Sequence, residues 1–277
     1  NPNTGKTTLF NRLTGSSGKV GNYPGITVDR HEGTIDLGDG QTIRAMDVPG
    51  TYSLAARSEE ERIAIEVMAG LSKREEDRPD AVVVVVDASQ LNRNLYLVLQ
   101  VLELDGPAVV ALTMVDVLKK KGEHIDMAAL SRELGIPVVE VTASSGHGLE
   151  ELRAAIKTSL GAEAPTPRWV PNDKILKWIA PICSALPEEW NAKGARCTAL
   201  SLWALTSLDE SDEHLTVSPQ LRAAAIACRK ETEEAGVAIE QEVIAGRYSW
   251  IDQRSGLFHP SGEGRVHQST DKLDKVL

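Results

Sequence analysis

Eight residues at the start of the chain, Asn1-Pro2-Asn3-Thr4-Gly5-Lys6-Thr7-Thr8, match all but the first glycine of the pattern GxxxxGK[ST]. Such a loop turns successive backbone N–H groups toward the α- and β-phosphates of a nucleotide. It sends its lysine to the β- and γ-oxygens and offers the next hydroxyl to Mg²⁺ at the start of a helix. Lys6 and Thr7 fit those two roles, and the leading glycine with its strand is expected before Asn1. Asp47-Val48-Pro49-Gly50 fits a DxxG element, whose carboxylate holds Mg²⁺ through water and whose glycine amide senses a γ-phosphate. Gly25-Ile26-Thr27 lies in a glycine-rich loop where Thr27 can close over the same ion. Thr113-Met114-Val115-Asp116 occupies the place of a base-reading NKxD: Asp116 can accept both N1–H and the exocyclic amine of guanine, a donor pair that adenine lacks. Thr142-Ala143-Ser144 is suited to giving the Ala143 amide to guanine O6. The order and spacing of these elements predict a guanine-nucleotide site with Mg²⁺ held by Thr7, Thr27 and Asp47.

The elements that must position these residues alternate along the chain. Apolar runs at Thr42 to Val48, Ala81 to Val86, Val109 to Leu112 and Val138 to Val141 read as strands, each leading into a motif. Helical spacing covers Thr7 to Leu13, Glu59 to Met68, Leu95 to Leu104, Met127 to Leu134 and Leu149 to Leu160. That alternation predicts an α/β fold of the P-loop GTPase kind, a mainly parallel sheet with helices on both faces and the nucleotide at the carboxyl ends of the strands. Ala162-Glu163-Ala164-Pro165-Thr166-Pro167 breaks the pattern as a linker, and only helical spacing follows it. The expected organisation is a GTPase domain at 1–160, a linker at 161–167 and a small all-helical domain at 168–277. Trp169, Trp178, Trp190, Trp203 and Trp250 are expected as core or rim anchors there.

Between the motifs the wording is more specific. Gly21-Asn22-Tyr23-Pro24-Gly25-Ile26-Thr27-Val28-Asp29-Arg30, Asp47-Val48-Pro49-Gly50-Thr51-Tyr52-Ser53-Leu54 and Asn92-Arg93-Asn94-Leu95-Tyr96-Leu97 closely resemble the bacterial ferrous-iron transport protein B family over Asn1 to about Leu160. Ser269 to Leu277 looks like the segment just before that family's membrane domain. The resemblance implies the cytosolic GTPase region of an Fe²⁺ transporter at the cytoplasmic face of the bacterial inner membrane. Its partner would be its own permease domain, and a homo-oligomer is left open. It also implies K⁺ activation: Asn3 matches the phosphate-loop asparagine that helps hold K⁺ near the α- and γ-phosphates, with first-switch backbone around Gly21 and Tyr23 supplying other ligands. Asn3, Lys6, Thr27 and Gly50 are then the expected catalytic set. Thr51 stands where related GTPases carry a water-orienting glutamine, so glutamine-directed attack cannot come from this position. Arg57 is an alternative charge donor in the second switch, against a plain solvated reading. Thr113 departs from the family's usual asparagine, and the loss of one bond by the shorter side chain implies modest affinity and fast GDP exchange.

Composition narrows the function classes. With 277 residues the chain has room for two domains, and it has no apolar stretch near the ~20 residues that cross a bilayer and no visible signal peptide. A net charge of -10 argues against nucleic acid as a partner, and the one basic run, Lys119-Lys120-Lys121, reads as a solvated loop. A potassium-activated GTPase of RNA or ribosome maturation would carry a basic RNA-binding module, which is not evident. A GTP sensor that docks a partner without hydrolysis is the other alternative, favoured by Thr51 and opposed by the Lys6, Thr7, Thr27 and Asp47 set. Cys183, Cys197 and Cys228 lie far apart in sequence and are expected as reduced thiols. His214, His259 and His267 lack metal-ligand spacing, and no iron ligand is expected in this chain.

Overall fold

The structure, a computed structural model, describes residues 2–15, 19–23, 28–71, 78–209 and 217–259. Asn1, Gly25, Ile26 and Thr27 of the expected site lie outside the described residues, as do His214, His267 and Ser269 to Leu277.

The chain opens with α1 (Lys6–Thr14), followed by β1 (Lys19–Asn22), β2 (Asp29–Asp36) and β3 (Thr42–Asp47). These three strands pair antiparallel in the order β1-β2-β3. After α2 (Glu59–Met68) come β4 (Val82–Asp87), α3 (Leu91–Glu103), β5 (Ala108–Thr113), α4 (Val115–Lys120), α5 (Met127–Leu134), β6 (Val138–Glu140) and α6 (Leu149–Ser159). β4, β5 and β6 pair in parallel. Strands and helices alternate as the sequence pattern predicts, but among the described residues parallel pairing occurs only in the second sheet. The reason lies in the β2–β3 connection: Leu37 donates to Gln41 O and Gln41 donates to Gly38 O, closing a tight hairpin. A parallel crossover needs about a dozen residues, so this connection can only return antiparallel.

β5 is buried at all six positions, which fits its unbroken apolar run Ala-Val-Val-Ala-Leu-Thr. Val109 and Ala111 pack with Leu9, Leu13, Leu152 and Ile156 of α1 and α6. Val110 and Leu112 face the other way, into a core shared with α2, α3 and α5. The sheet is thus covered on both faces, and its strand ends are fixed relative to α1.

Beyond residue 161 the described chain forms α7 (Asp173–Ser184), α8 (Gly194–Ser207), α9 (Pro219–Glu234) and α10 (Ile239–Phe258). Asn172 and Ser218 cap α7 and α9 by accepting from the N–H groups of Ile175 and Leu221. Trp190, Trp203 and Trp250 are buried in the same apolar cluster that fills the space behind α3, in line with an anchoring role. Two buried arginines fasten these helices to the α/β part. Arg196, at the start of α8, donates to the carbonyls of Trp190, Leu104 and Ala69, and so grips the ends of α2 and α3. Arg247 of α10 makes a two-pronged pair with Glu103 of α3, at 2.9 and 2.7 Å, and donates to the Tyr96 hydroxyl at 3.2 Å. Its guanidinium also lies 4.9 Å from the centroid of the Trp169 ring. Burial works against this charge, but attraction and hydrogen bonding from Glu103, with help from Tyr96, outweigh it and hold the pKa above the usual arginine value.

The cysteine expectation needs correction. Cys183 lies in the last turn of α7 and Cys197 in the first turn of α8, and the helical hairpin brings their Cα atoms to 5.7 Å, joined as a disulfide. Their separation of 14 residues hides a contact that only the α7–α8 turn creates. Cys228 is a free, buried thiol whose pKa is pushed up by burial and then by Glu231.

Candidate nucleotide site

The loop before α1 is bent by two residues in left-handed backbone conformation, Asn3 at φ 57° and Gly5 at φ 79°. Glycine adopts the second at no steric cost, and asparagine is among the few residues that tolerate the first. Gly5 occupies the N-cap, so the chain enters α1 with no side-chain cap on its first N–H groups. Those groups are the donors an anion would satisfy. Thr7 and Thr8 are exposed at this end, whereas Thr4 is buried beneath the loop.

Three contacts draw the separate motifs to this one place. Lys6 pairs directly with Asp47, the last residue of β3. Thr113, the last residue of β5, directs its hydroxyl to the carbonyl of Thr4 at 2.9 Å and to that of Val86 at 3.1 Å. The threonine at the first base-reading position therefore braces the phosphate loop through its hydroxyl. Arg12 of α1 donates to the carbonyl of Ser144 at 2.8 Å, so α1 also holds the Thr142-Ala143-Ser144 loop. Arg12 is absent from the motif reading because a surface arginine on a helix carries no signal of its partner.

The remaining base-site residues follow from local geometry. Met114 takes a left-handed turn at φ 58° to start α4, placing Asp116 in that helix's first turn with its side chain 55% exposed. Thr142 pairs with His147, and its carbonyl accepts from Gly146, which closes the loop containing Ala143 and Ser144. Gly148 then caps α6 at φ 78°, where any Cβ would stand 1.9 Å from the Glu140 carbonyl oxygen. No other residue fits there without moving the end of β6.

Around the switches the structure separates the expected residues by role. Gly21 lies in β1 opposite Arg30, and its neighbour Tyr23 is buried with its hydroxyl donating to the Asp47 carbonyl at 3.1 Å. The Tyr23 side chain thus supports the DxxG strand end. Gly50 and Pro49 follow β3 without regular structure. Thr51 is 4% exposed, with its hydroxyl donating to Ser53 O and 3.2 Å from Glu61 Oε1. Glu61 also accepts from the Ser53 hydroxyl and the Arg57 N–H, so one carboxylate organises the segment from 51 to 57. The Arg57 side chain is 68% exposed and 3.8 Å from Glu240 of α10. Asn94, buried in α3, accepts from Asp87 N–H and donates to Gln90 O, which explains the Asn92-Arg93-Asn94 wording as a lock on the β4–α3 turn.

The site therefore sits at the carboxyl ends of β3, β4 and β5 and at the amino end of α1, the place where open α/β sheets bind ligands. The donor set suits a magnesium-bound polyphosphate: an ammonium, a helix N-terminus with open N–H groups, an exposed hydroxyl and a carboxylate. Among the described residues no group of three His, Cys, Asp or Glu side chains could hold a metal ion. No described helix is long and apolar enough to cross a membrane.

The family model for ferrous iron transport protein B matches residues 1–156. The chain belongs to that family. It is 47% identical over 161 residues to the Fe(2+) transporter FeoB of Escherichia coli K12, an alignment covering 56% of this chain and 20% of that protein. The chain thus spans only a small part of the curated relatives it matches. Its fold is that of the solved FeoB G-domain structures, helices included. The cytosolic domain of L. pneumophila FeoB has 30% identity and a TM-score of 0.78, over 93% of this chain and 96% of that one. The cytosolic domain of the T. maritima FeoB iron transporter, in its GMPPNP form, has 28% identity and a TM-score of 0.73 over the same shares.

Proposed function

We propose that this chain binds guanine nucleotides and hydrolyses GTP, and that it is the nucleotide-dependent part of a ferrous-iron transporter. The observation that carries the reading is the convergence of Lys6, Asp47, Thr113 and the Ser144 loop on one end of the sheet. The domain organisation that goes with it is a GTPase unit at 1–160, a linker at 161–167 and a helical unit at 168–277 whose partner is a membrane permease. In this reading the chain works at the cytoplasmic face of the bacterial inner membrane. Its net charge of -10 supports no role for nucleic acid.

In this reading Lys6 would serve the β- and γ-phosphate oxygens, and Thr7, Thr27 and Asp47, the last through water, would hold Mg²⁺. Bound Mg²⁺ supplies charge neutralisation on the phosphates. The loop N–H groups from Asn3 to Thr8 hold the phosphates in line, and the Gly50 amide meets the γ-phosphate. Asp116, with Thr113 and Met114 behind it, and the Ala143 amide select guanine. Thr51 is tied to Ser53 and Glu61 and does not orient a water by its side chain. Asn3, exposed in the phosphate loop, would share K⁺ with backbone near Gly21 and Tyr23, and that cation would take the role of an arginine finger.

Purified protein should release phosphate from GTP faster in K⁺ than in Na⁺, and Asn3→Ala should erase that difference. Equal rates in the two salts would remove K⁺ from the mechanism. Nucleotide binding with no phosphate release in either salt would favour the sensor reading, which the Glu61-held Thr51 supports.

A further inference from the structure

The basic run Lys119-Lys120-Lys121 does not stand free in solvent along its whole length. Lys119 lies on α4, past Asp116, and donates to Glu140 Oε1 at 2.7 Å. Glu140 is the last residue of β6 and its side chain is 16% exposed, so this pair crosses from the helix that carries Asp116 to the strand that leads into Ala143. Lys120, by contrast, lies 3.8 Å from Asp116 within its own helix, with both side chains more than half exposed. A second cation reaches the same loop from another side. Arg12, in the last turn of α1, donates to the carbonyl of Ser144 at 2.8 Å, next along the chain from Ala143. We propose that Lys119 and Arg12 are positioning residues for the guanine base: they hold the Thr142-Ala143-Ser144 loop at a fixed spacing from Asp116 and from the phosphate loop before nucleotide arrives. This role rests on the guanine-nucleotide reading of the site.

Spacing matters because both base contacts address one edge of one ring system. Guanine presents O6 beside N1–H and the 2-amino group, so the Ala143 amide and the Asp116 carboxylate must reach neighbouring atoms together. A hydrogen bond weakens steeply outside donor–acceptor distances of about 2.7–3.2 Å, so a loop displaced by about 1 Å forfeits the O6 bond. The bonds between Thr142 and His147 and from Gly146 to the Thr142 carbonyl give the loop its shape. Its place is set at Val141, which donates to Leu112 O, at the Glu140 side chain and at the Ser144 carbonyl. The two side-chain anchors stand on either side of Ala143 along the chain, so its N–H lies between tied points. Adenine carries an amine where guanine carries O6, and an N–H held at that spot meets another donor. The anchors that secure O6 therefore also reject the 6-amino group, which makes them specificity determinants.

Titration of the whole chain with GDP, and with ADP by competition, tests this. Lys119 is 59% exposed and its pair is partly screened, which keeps the expected loss at the scale of one hydrogen bond. Lys119→Met and Arg12→Met should each weaken GDP about 2- to 10-fold and leave ADP unchanged or tighter, so the preference for GDP falls. Glu140→Gln should match Lys119→Met, the two together should do no more than either alone, and the exchanged pair Lys119→Glu with Glu140→Lys should restore GDP binding to within about twofold of the parent. Lys121→Met removes the same charge from an exposed neighbouring position and should bind GDP like the parent. Equal weakening of GDP and ADP would overturn the proposal, because a merely loosened fold loses both nucleotides alike. Unchanged GDP binding in either the Lys119 or the Arg12 variant would overturn it too, while leaving the nucleotide site in place. A parent chain that binds no guanine nucleotide would remove the site itself, and the proposal with it.

Discussion

Thr113→Val tests the central joint of the site. The two side chains have nearly the same shape, so the change removes a hydroxyl from a position only 4% exposed without opening a cavity. That hydroxyl has one proton and two acceptors, Thr4 O at 2.9 Å and Val86 O at 3.1 Å, so one hydrogen bond is lost rather than two. A single net hydrogen bond is worth about 0.5–1.5 kcal/mol, which converts to about a 2- to 13-fold weaker Kd if the phosphate loop must be ordered to bind. Titration with fluorescently labelled GDP, with release rates from a chase, reads this directly. Thr113→Ser keeps the hydroxyl and should stay within about twofold of the parent, because its donor is unchanged. The reasoning fails if the valine variant binds and releases GDP like the parent. It fails equally if serine behaves like valine, since the methyl group and not the hydroxyl would then be the active feature.

Three further outcomes follow from other parts of the molecule. Glu103→Ala should cost about 3–5 kcal/mol in urea unfolding because it strands the buried Arg247 guanidinium, and the double change Glu103→Leu with Arg247→Met should recover most of it; a single-variant loss below about 1 kcal/mol would show that water reaches the pair. Reducing Cys183–Cys197, which closes a loop 14 residues apart in sequence, should lower stability by about 3 kcal/mol, and an unchanged melting curve in reductant would rule the bond out. Burial, the main cause, lowers the His259 pKa, with Glu123 opposing and His124 adding to the shift. The unfolded chain therefore binds that proton more readily, so the His259 contribution is present above the ordinary histidine pKa of about 6.5 and fades below it. His259→Gln should flatten stability against pH there, and an identical pH profile would contradict this.

The legible and illegible parts of this chain divide along a physical line. Buried central strands announce themselves because both faces demand apolar residues, as in Val82–Asp87 and Ala108–Thr113. β2, Asp-Arg-His-Glu-Gly-Thr-Ile-Asp, has one buried position and so no periodic signal, which is why the antiparallel half of the fold went unseen. α4 was hidden because its six residues overlap the base-reading motif and are too few to show a helical stripe. The motif residues of the proposed site stand out in the sequence because phosphate and guanine chemistry permits few side chains at few spacings. The groups that hold those motifs together do not: Arg12, Arg196 and Arg247 look in sequence like any solvated cation, and their acceptors lie 132, 127 and 151 residues away at the farthest.

Thr113 shows how the two kinds of information combine. Read as a departure from asparagine, it implied a weakened base site. Placed at the end of β5 beside Thr4, it is a short side chain that reaches the phosphate loop because the strand brings it close enough, at 2.9 Å, for a hydroxyl to suffice. The loss then falls on the base side alone, where an asparagine amide would have had a second group to offer. In the proposed reading, guanine selection would then rest more heavily on Asp116 and the Ala143 amide than where asparagine stands first. On that argument Asp116→Asn, which exchanges one acceptor oxygen for a donor, should move preference from guanine toward xanthine nucleotides in competition titrations. Retained GTP selectivity in that variant would place the base pocket elsewhere.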